Sequence, residues 1–233
     1  MKRNLLLLLA VLALASCTNA TPAATPTPAP GAPDYEIVAL PEVRLTGNVS
    51  LEETLLNRRS VRQYTDEALT LEEVAQLLWA AQGITAEWGG RTAPSAGALY
   101  PLEVYLVAGS VENLAPGVYL YEPDEHELVK VRDKDVREEL ADIALGQTPV
   151  RDGAIDIVIS AVYERTMRKY GDRGVRYVHM EAGHAAQNIY LQATALDLGT
   201  VTIGAFVDEL VKEVLSMPED EAPLYIIPVG RKA

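Results

Sequence analysis

The segment of residues 155–162 constrains the fold of this 233-residue chain more than any other. It is a nearly continuous β-branched run, which predicts a central strand buried on both faces. Tyr119 and Tyr121 alternate in a second predicted strand, as one face of a sheet requires. Beside the central strand, the pattern predicts strands at residues 104–108, 117–122, 127–131, 201–203 and 224–229.

Segments with helical periodicity precede, separate and follow these predicted strands. The second predicted helix begins with Thr70 facing Glu73 in a capping box and is closed by Gly83. The fourth predicted helix, at residues 175–198, carries an alanine-rich stripe suited to close packing against another helix or a dimer partner. Residues 35–47 are expected to form an extended arm at the domain edge, and residues 35–233 to form one domain. The predicted helices cover residues 50–58, 70–82, 135–146, 175–198 and 207–215.

The first 34 residues have the layout of an export signal followed by a tether. Lys2 and Arg3 precede a short apolar run, and Leu-Ala-Ser-Cys at residues 14–17 matches the lipobox of bacterial lipoproteins. We predict a signal peptide over residues 1–16, lipidation of Cys17, and a Pro/Ala/Thr-rich linker over residues 17–34. The alternative is an ordinary secretory signal that ends in cysteine. The predicted location is the bacterial cell envelope, outside the cytoplasm and held at a membrane.

The charge balance excludes one class of partner. The chain has 33 Asp and Glu residues against 20 Lys and Arg residues, a formal net charge of −13. Because nucleic-acid binding relies on basic residues that neutralise phosphates, nucleic acid is not an expected partner. The sequence has a single cysteine, Cys17, which excludes intramolecular disulfide bonds.

A basic cluster stands out in this acidic chain. Guanidinium forks and a short hydroxyl are suited to holding a phosphate, and the alternative interpretation is a solvated basic turn. A second basic pair lies at residues 231–232 and is a natural complement to the first. The cluster follows an apolar helical run and consists of Arg58, Arg59, Ser60 and Arg62.

The loop of residues 87–99 is rich in small residues, which let a flat group approach the backbone closely. Together with the basic cluster it makes the chain resemble the nitroreductase superfamily of FMN-dependent oxidoreductases over about residues 50–232. More narrowly, the chain is similar to the SagB/ThcOx-type branch, which includes azoline oxidases of peptide maturation. The matching motifs are Arg-Arg-Ser-x-Arg at 58–62, Pro-Ser-Ala-Gly-Ala-Leu-Tyr-Pro at 94–101, Lys-Tyr at 169–170, Arg-Tyr at 176–177 and Glu-Ala-Gly-His-x-x-Gln-Asn at 181–188.

The resemblance implies an α+β, nitroreductase-like fold with a central, mostly antiparallel sheet flanked by helices, and a homodimer with FMN at its interface. The basic cluster and Arg231 would bind the FMN phosphate. The loop at 94–101 would reach across from the other subunit along the flavin ring, and the stretch at 199–204 would face the ring from its other side. The residues that the resemblance assigns to the cofactor are Arg58, Arg59, Ser60, Arg62, Pro94, Ser95, Ala96, Gly97, Leu99, Gly199, Gly204 and Arg231.

Lys169 and Tyr170 are the candidate catalytic residues. By resemblance they would handle the proton that leaves as a hydride moves to the flavin. We expect them in a loop after a strand end, and the alternative is an exposed lysine beside a packing tyrosine.

Other polar side chains invite functional and structural interpretations. Glu181 and His184 lie one helical turn apart, too few for a metal site, so a satisfied pair in a helix interface is expected. Trp88 and Tyr100 either line a substrate pocket or simply pack. Gln187 and Asn188 are expected to satisfy polar atoms of the backbone or ring, and His126 to be a surface strand residue.

Three functional hypotheses follow. The first is a membrane-anchored flavin oxidoreductase that passes hydride to and from FMN in a ping-pong cycle, with a small-molecule or peptide substrate. Because NAD(P)H is a cytosolic metabolite, an exported enzyme would need a different donor. The second is an NAD(P)H-dependent nitro or quinone reductase, and the third is a flavin-binding surface protein without turnover.

Overall fold

The computed structural model describes residues 36–233, which form a seven-stranded sheet with helices packed on it. The sheet order is β1-β4-β3-β2-β5-β7-β6, and every neighbouring pair of these strands is antiparallel. The strands are β1 Ile37–Ala39, β2 Leu102–Ala108, β3 Gly117–Glu122, β4 Glu127–Arg132, β5 Ile155–Ala161, β6 Leu198–Thr200 and β7 Ala222–Arg231.

The predicted signal peptide of residues 1–16, the lipidation of Cys17 and the linker of residues 17–34 lie outside the described part. Within residues 36–233, no helix is both long and apolar enough to cross a membrane. The helices are α1 Leu51–Asn57, α2 Leu71–Gln82, α3 Arg137–Ile143, α4 Thr148–Asp152, α5 Tyr163–Tyr170, α6 Arg173–Ala195 and α7 Asp208–Leu215, with a short 3₁₀ turn at Ala96–Ala98.

Strand β5 is central, as the β-branched run predicts, and all seven of its residues are buried. Ile155, Ile157 and Ile159 face a core layer that contains α2 and α6, whereas Val158 faces a layer that contains α3 and α7. Helices therefore flank both faces of the sheet. This confirms the predicted α+β class and the nitroreductase-like arrangement of a sheet flanked by helices.

The helix starts follow the predicted capping chemistry. The Ser50 hydroxyl accepts a hydrogen bond from the Glu53 backbone N–H at the start of α1. Thr70 and Glu73 form the predicted capping box at the start of α2, and Gly83 follows its last residue. The alanine-rich stripe of α6 lies in the protein's own core, so it packs against the sheet and α2 within one chain.

Three local predictions were wrong. Lys169 and Tyr170 are the last two residues of helix α5 and do not lie in a loop. The prediction failed because the charged sequence of α5 shows no clear helical periodicity. The short strand predicted at residues 201–203 lies at Leu198–Thr200, where it pairs with the last strand. His126 sits in the β3–β4 turn at φ 51°, and its ring bonds Tyr121 and the Pro41 carbonyl, which ties down the N-terminal arm.

Candidate functional site

The basic cluster runs along the edge of the sheet. Ser60 forms a parallel bridge with Thr200 of β6, and the Val61 N–H donates to the Thr200 carbonyl over 2.9 Å. A Cβ atom at Gly199 would lie 2.7 Å from Cγ1 of Val61. Glycine at position 199 therefore lets the cluster approach β6 this closely.

Tyr190 of α6 packs against the basic cluster and contacts two of its residues. Its hydroxyl lies 3.1 Å from the Ser60 hydroxyl and accepts a hydrogen bond of 2.9 Å from the Thr202 N–H. The Arg58 guanidinium stacks over the Tyr190 ring, 5.0 Å from its centroid. Burial alone raises the pKa of the Tyr190 phenol, but the bonds to Ser60 and Thr202 and the charge of Arg58 outweigh it, so the pKa is lowered. These contacts therefore favour the ionised form of the Tyr190 phenol itself.

The guanidiniums of the cluster are available to an anion. Within residues 36–233, Arg58, Arg59 and Arg62 form no ion pair with a carboxylate. Arg59 donates to the carbonyls of Leu56 and Arg58, over 2.9 and 2.8 Å. Arg62 is exposed. In a chain with an excess of acidic residues, three neighbouring guanidiniums without a carboxylate partner favour an anion site.

Arg231 is placed differently from the other predicted phosphate ligands. Its guanidinium makes a two-pronged ion pair with Glu73 of α2, with N–O distances of 2.7 and 2.9 Å. Glu67 approaches its Nε atom to 3.3 Å. Arg231 is therefore held by two carboxylates at the start of α2, and a phosphate would have to compete with them.

The loop at 94–101 is tightly wound. Gly97 has φ 67° inside the short 3₁₀ turn, and Ala98 and Tyr100 also have positive φ angles. The Ser95 hydroxyl accepts a hydrogen bond of 2.9 Å from the Tyr100 N–H, which closes the loop. Gly97 is exposed and Leu99 is half-buried, so the tip is presented outward.

The structure brings this loop together with the candidate catalytic pair. A Cβ atom at Gly97 would lie 2.8 Å from the Tyr170 hydroxyl and 2.9 Å from Lys169 Nζ. Lys169 Nζ also lies 5.5 Å from the centroid of the Tyr170 ring, and Tyr170 packs edge-on against Tyr177 of α6. Two segments about 70 residues apart in sequence thus converge on one point. Gly204, by contrast, is exposed, and a Cβ atom there would meet nothing within 4 Å.

Glu181 was missed as a site residue. It is 2% exposed, and its Oε1 atom has no hydrogen-bond partner among the described residues. Burial raises the pKa of Glu181 to about 7, although Ser95 and Arg91 act to lower it. The expected satisfied pair is not formed: no hydrogen bond or ion pair joins Glu181 and His184 among the described residues, and His184 is exposed whereas Glu181 is buried. No group of three or more metal-ligating side chains occurs in residues 36–233.

The remaining candidates have structural or surface positions. Trp88 is 74% exposed, and its ring lies over Gly90, where an added Cβ atom would be 2.5 Å from the ring. The Arg91 guanidinium stacks over the ring of Tyr100, 4.6 Å from its centroid. Asn188 donates to the Thr92 carbonyl over 3.3 Å, as expected of a residue that satisfies the backbone. Tyr190 was missed because a tyrosine inside an amphipathic helix carries no signal beyond packing.

Comparison with known proteins gives consistent matches. Residues 55–231 match the sequence model of the Nitroreductase family. A protein of Methanocaldococcus jannaschii named as a nitroreductase is 49% identical over 195 residues, which are 84% of this chain and 96% of that protein. A crystal structure from Ralstonia eutropha, also named as a nitroreductase, has 31% identity and a TM-score of 0.74, covering 84% of this chain and 90% of that one.

Other relatives are longer than this chain. A nitroreductase structure from Anabaena variabilis has 36% identity and a TM-score of 0.76 over 86% of this chain, but this chain covers only 42% of it. The FMN reductase (NADPH) of Bacillus subtilis is 27% identical over 78% of this chain and 65% of its own length. The microcin B17-processing protein of Escherichia coli is 29% identical over 58% of this chain and 52% of its own length.

Proposed function

The chain belongs to the nitroreductase family, and on that premise we propose that it is an FMN-dependent oxidoreductase of the SagB/ThcOx type. The observation that carries the proposal is the contact of Gly97 with Lys169 and Tyr170. This contact joins the loop assigned to the flavin ring to the pair assigned to proton handling. The similarity to the microcin B17-processing protein supports the narrower assignment.

The residues present fit FMN. The guanidiniums of the cluster, which have no carboxylate partner among the described residues, suit a dianionic phosphate. The open space over Gly204 leaves room for a flat ring against the backbone. FMN, when bound, supplies the capacity to accept a hydride and to pass it on.

In the proposed mechanism, the chain's own residues bind, orient and move protons. Arg58, Arg59 and Arg62 hold the phosphate, and Ser60 contributes its hydroxyl. Lys169 and Tyr170 hold or release the proton of the substrate at Nζ and at the phenolic oxygen, next to the turn at Gly97. At Gly97 the absence of a side chain lets both groups approach the loop.

We further propose a homodimer that is anchored at a membrane outside the cytoplasm. The dimer proposal rests on α1, where Leu51, Leu55 and Leu56 are 59%, 53% and 72% exposed. Such a group of exposed leucines is typical of an interaction surface. The anchor proposal rests on the lipobox at residues 14–17. A donor other than NAD(P)H suits that location.

The second candidate function is an NAD(P)H-dependent reductase. The named activity of the Bacillus subtilis FMN reductase (NADPH) favours it. The first test is to purify the full chain in detergent, record its visible spectrum, and add NADH or NADPH without oxygen. A yellow protein that keeps its colour supports the envelope oxidoreductase, whereas rapid bleaching supports the reductase. A colourless protein that refuses added FMN contradicts both.

Variants at the catalytic pair separate an enzyme from a flavin-binding protein without turnover. Lys169→Met and Tyr170→Phe are expected to retain FMN and to lose most of the turnover, measured with the substrate or artificial acceptor that the wild type uses. Arg58→Gln is expected to lose FMN, and Lys134→Ala, an exposed lysine paired with Glu139, serves as the control for charge. Unchanged rates in both pair variants would show that the catalytic assignment is wrong.

A further inference from the structure

A small cavity lies beside the loop that carries Gly97. Its volume is about 230 Å³. One wall is the segment of residues 94–96, which leads directly into the turn at Gly97. The other wall is one face of α6, with Tyr177, Met180, Glu181 and His184. These helix positions are spaced three and four residues apart, so their side chains point to the same side.

The walls of this cavity are mostly apolar, and their polar side chains include the buried acid Glu181, Ser95 and His184. A proline, an alanine, a methionine and a tyrosine ring supply most of its surface. Glu181 is 2% exposed, and its Oε1 atom has no hydrogen-bond partner among the described residues. A buried carboxyl oxygen without a donor costs free energy, and here Glu181 lines the cavity, so a molecule in the cavity could supply the missing donor.

Building on the proposed flavin function, we propose that this cavity is a substrate subsite for a flat, apolar group that carries one hydrogen-bond donor. Glu181 Oε1 is the acceptor, and the segment of residues 94–96 and Met180 supply the apolar contact. The subsite adjoins Gly97, where Lys169 and Tyr170 meet. A phenol-like or N–H-bearing ring held here therefore lies beside the groups proposed to move the substrate's proton.

Several polar groups face or border Glu181. Arg91 from the preceding loop and the Ser95 hydroxyl from the cavity wall both act to lower its pKa against the effect of burial. Tyr177 and His184 share its helix face, and Lys169 with Tyr170 border the loop from α5. Because burial raises the pKa of Glu181 to about 7, this carboxyl changes from a protonated to an ionised acceptor between pH 6 and pH 8. An ionised acceptor binds a neutral donor more strongly.

The matched probes are phenol, which donates a hydrogen bond, and anisole, which has nearly the same shape and does not. Binding to the full chain is measured by ligand-detected NMR at pH 6 and pH 8, with and without bound flavin. We expect phenol to bind about tenfold more tightly than anisole at pH 8, and the preference to shrink at pH 6. Glu181→Leu should remove the preference and leave anisole binding unchanged.

Two further variants keep the test decisive. Glu181→Gln retains a neutral acceptor of the same shape and should make the phenol preference independent of pH. This variant keeps the proposal testable if Glu181→Leu does not fold. His184→Gln should leave the pH dependence in place, which would show that the neighbouring imidazole is not its source. If neither probe binds, if the preference survives in Glu181→Leu, or if Glu181→Gln retains the pH dependence, the subsite is refuted. The visible spectrum reports flavin separately, so a protein that binds phenol without flavin would refute only the proposed function.

Discussion

Gly97 and Tyr170 approach so closely that a Cβ atom at position 97 would lie 2.8 Å from the Tyr170 hydroxyl oxygen. The same atom would lie 2.9 Å from Lys169 Nζ. Any side chain at position 97 must therefore displace the two groups that are the candidates for proton transfer. The loop and the end of α5 form one structural unit through this contact.

Gly97→Ala is expected to lower turnover at least tenfold, because the added methyl group moves Lys169 and Tyr170 away from the loop. It should also destabilise the fold by about 1 kcal/mol, since φ 67° is unfavourable for alanine. Gly146→Ala, away from the catalytic pair, is the matched control: its φ is 73°, but nothing lies within 4 Å of the added atom. Steady-state kinetics and urea unfolding of both variants should show similar stability losses and a turnover loss in Gly97→Ala alone. Equal turnover in the two variants would contradict this prediction.

Tyr190→Phe is expected to weaken FMN binding by up to about tenfold and to lower the free energy of unfolding by about 1–2 kcal/mol. The Thr202 N–H and the Ser60 hydroxyl both lose their partner, while the stacking of Arg58 on the ring is retained. Flavin fluorescence titration and urea denaturation measure the two effects. Tyr225→Phe removes a half-buried hydroxyl of β7 outside the cluster and is the control. Unchanged FMN affinity in Tyr190→Phe would show that this tyrosine does not contribute to the phosphate site.

Local chemistry was sufficient to predict much of the fold. The β-branched run of β5, the capping box of Thr70 and Glu73, and the glycine after α2 each carry their own physical signal, and all three have the predicted positions. Helix α5 was not predicted, because six of its eight residues are charged or aromatic and offer no apolar stripe. The strand at Leu198–Thr200 was misplaced by three residues, since its register depends on pairing with β7.

The candidate site was harder to predict because it depends on long-range contacts. Sequence order cannot show that Gly97 touches the end of α5, or that Arg231 reaches Glu73 across 158 positions. Burial decides the chemistry of Glu181, and burial of a polar side chain is set by the packing of the whole α6 face. The residue types of the basic cluster were visible in the sequence, but its support by Tyr190 was not.

Glu73→Gln tests the role of Arg231. The substitution keeps an acceptor for the capping box but removes the charge that holds the guanidinium at 2.7 and 2.9 Å. We expect the free energy of unfolding to fall by about 2 kcal/mol, because the pair is partly buried and doubly bonded. FMN affinity should stay within about twofold of the wild type. Glu72→Gln, an exposed neighbour in the same helical turn, is the control, and tighter FMN binding in Glu73→Gln would show that the released Arg231 reaches the phosphate.

The last prediction concerns the pH dependence of stability. Burial raises the pKa of Glu181 from 4.5 to about 7 in the folded protein. A carboxyl with a raised folded-state pKa favours folding at low pH, so its contribution is fully present below about pH 4.5 and is lost as the pH rises through 7.

Relative to Glu181→Gln, which does not titrate, the wild type should lose about 3 kcal/mol of unfolding free energy between pH 4.5 and pH 8. Urea denaturation of both proteins across this range measures the difference, and other titrating groups cancel in the comparison. Glu112→Gln, an exposed glutamate, controls for the loss of one charge. If the difference between wild type and Glu181→Gln is constant with pH, Glu181 titrates alike in the folded and unfolded states, and burial does not raise its pKa.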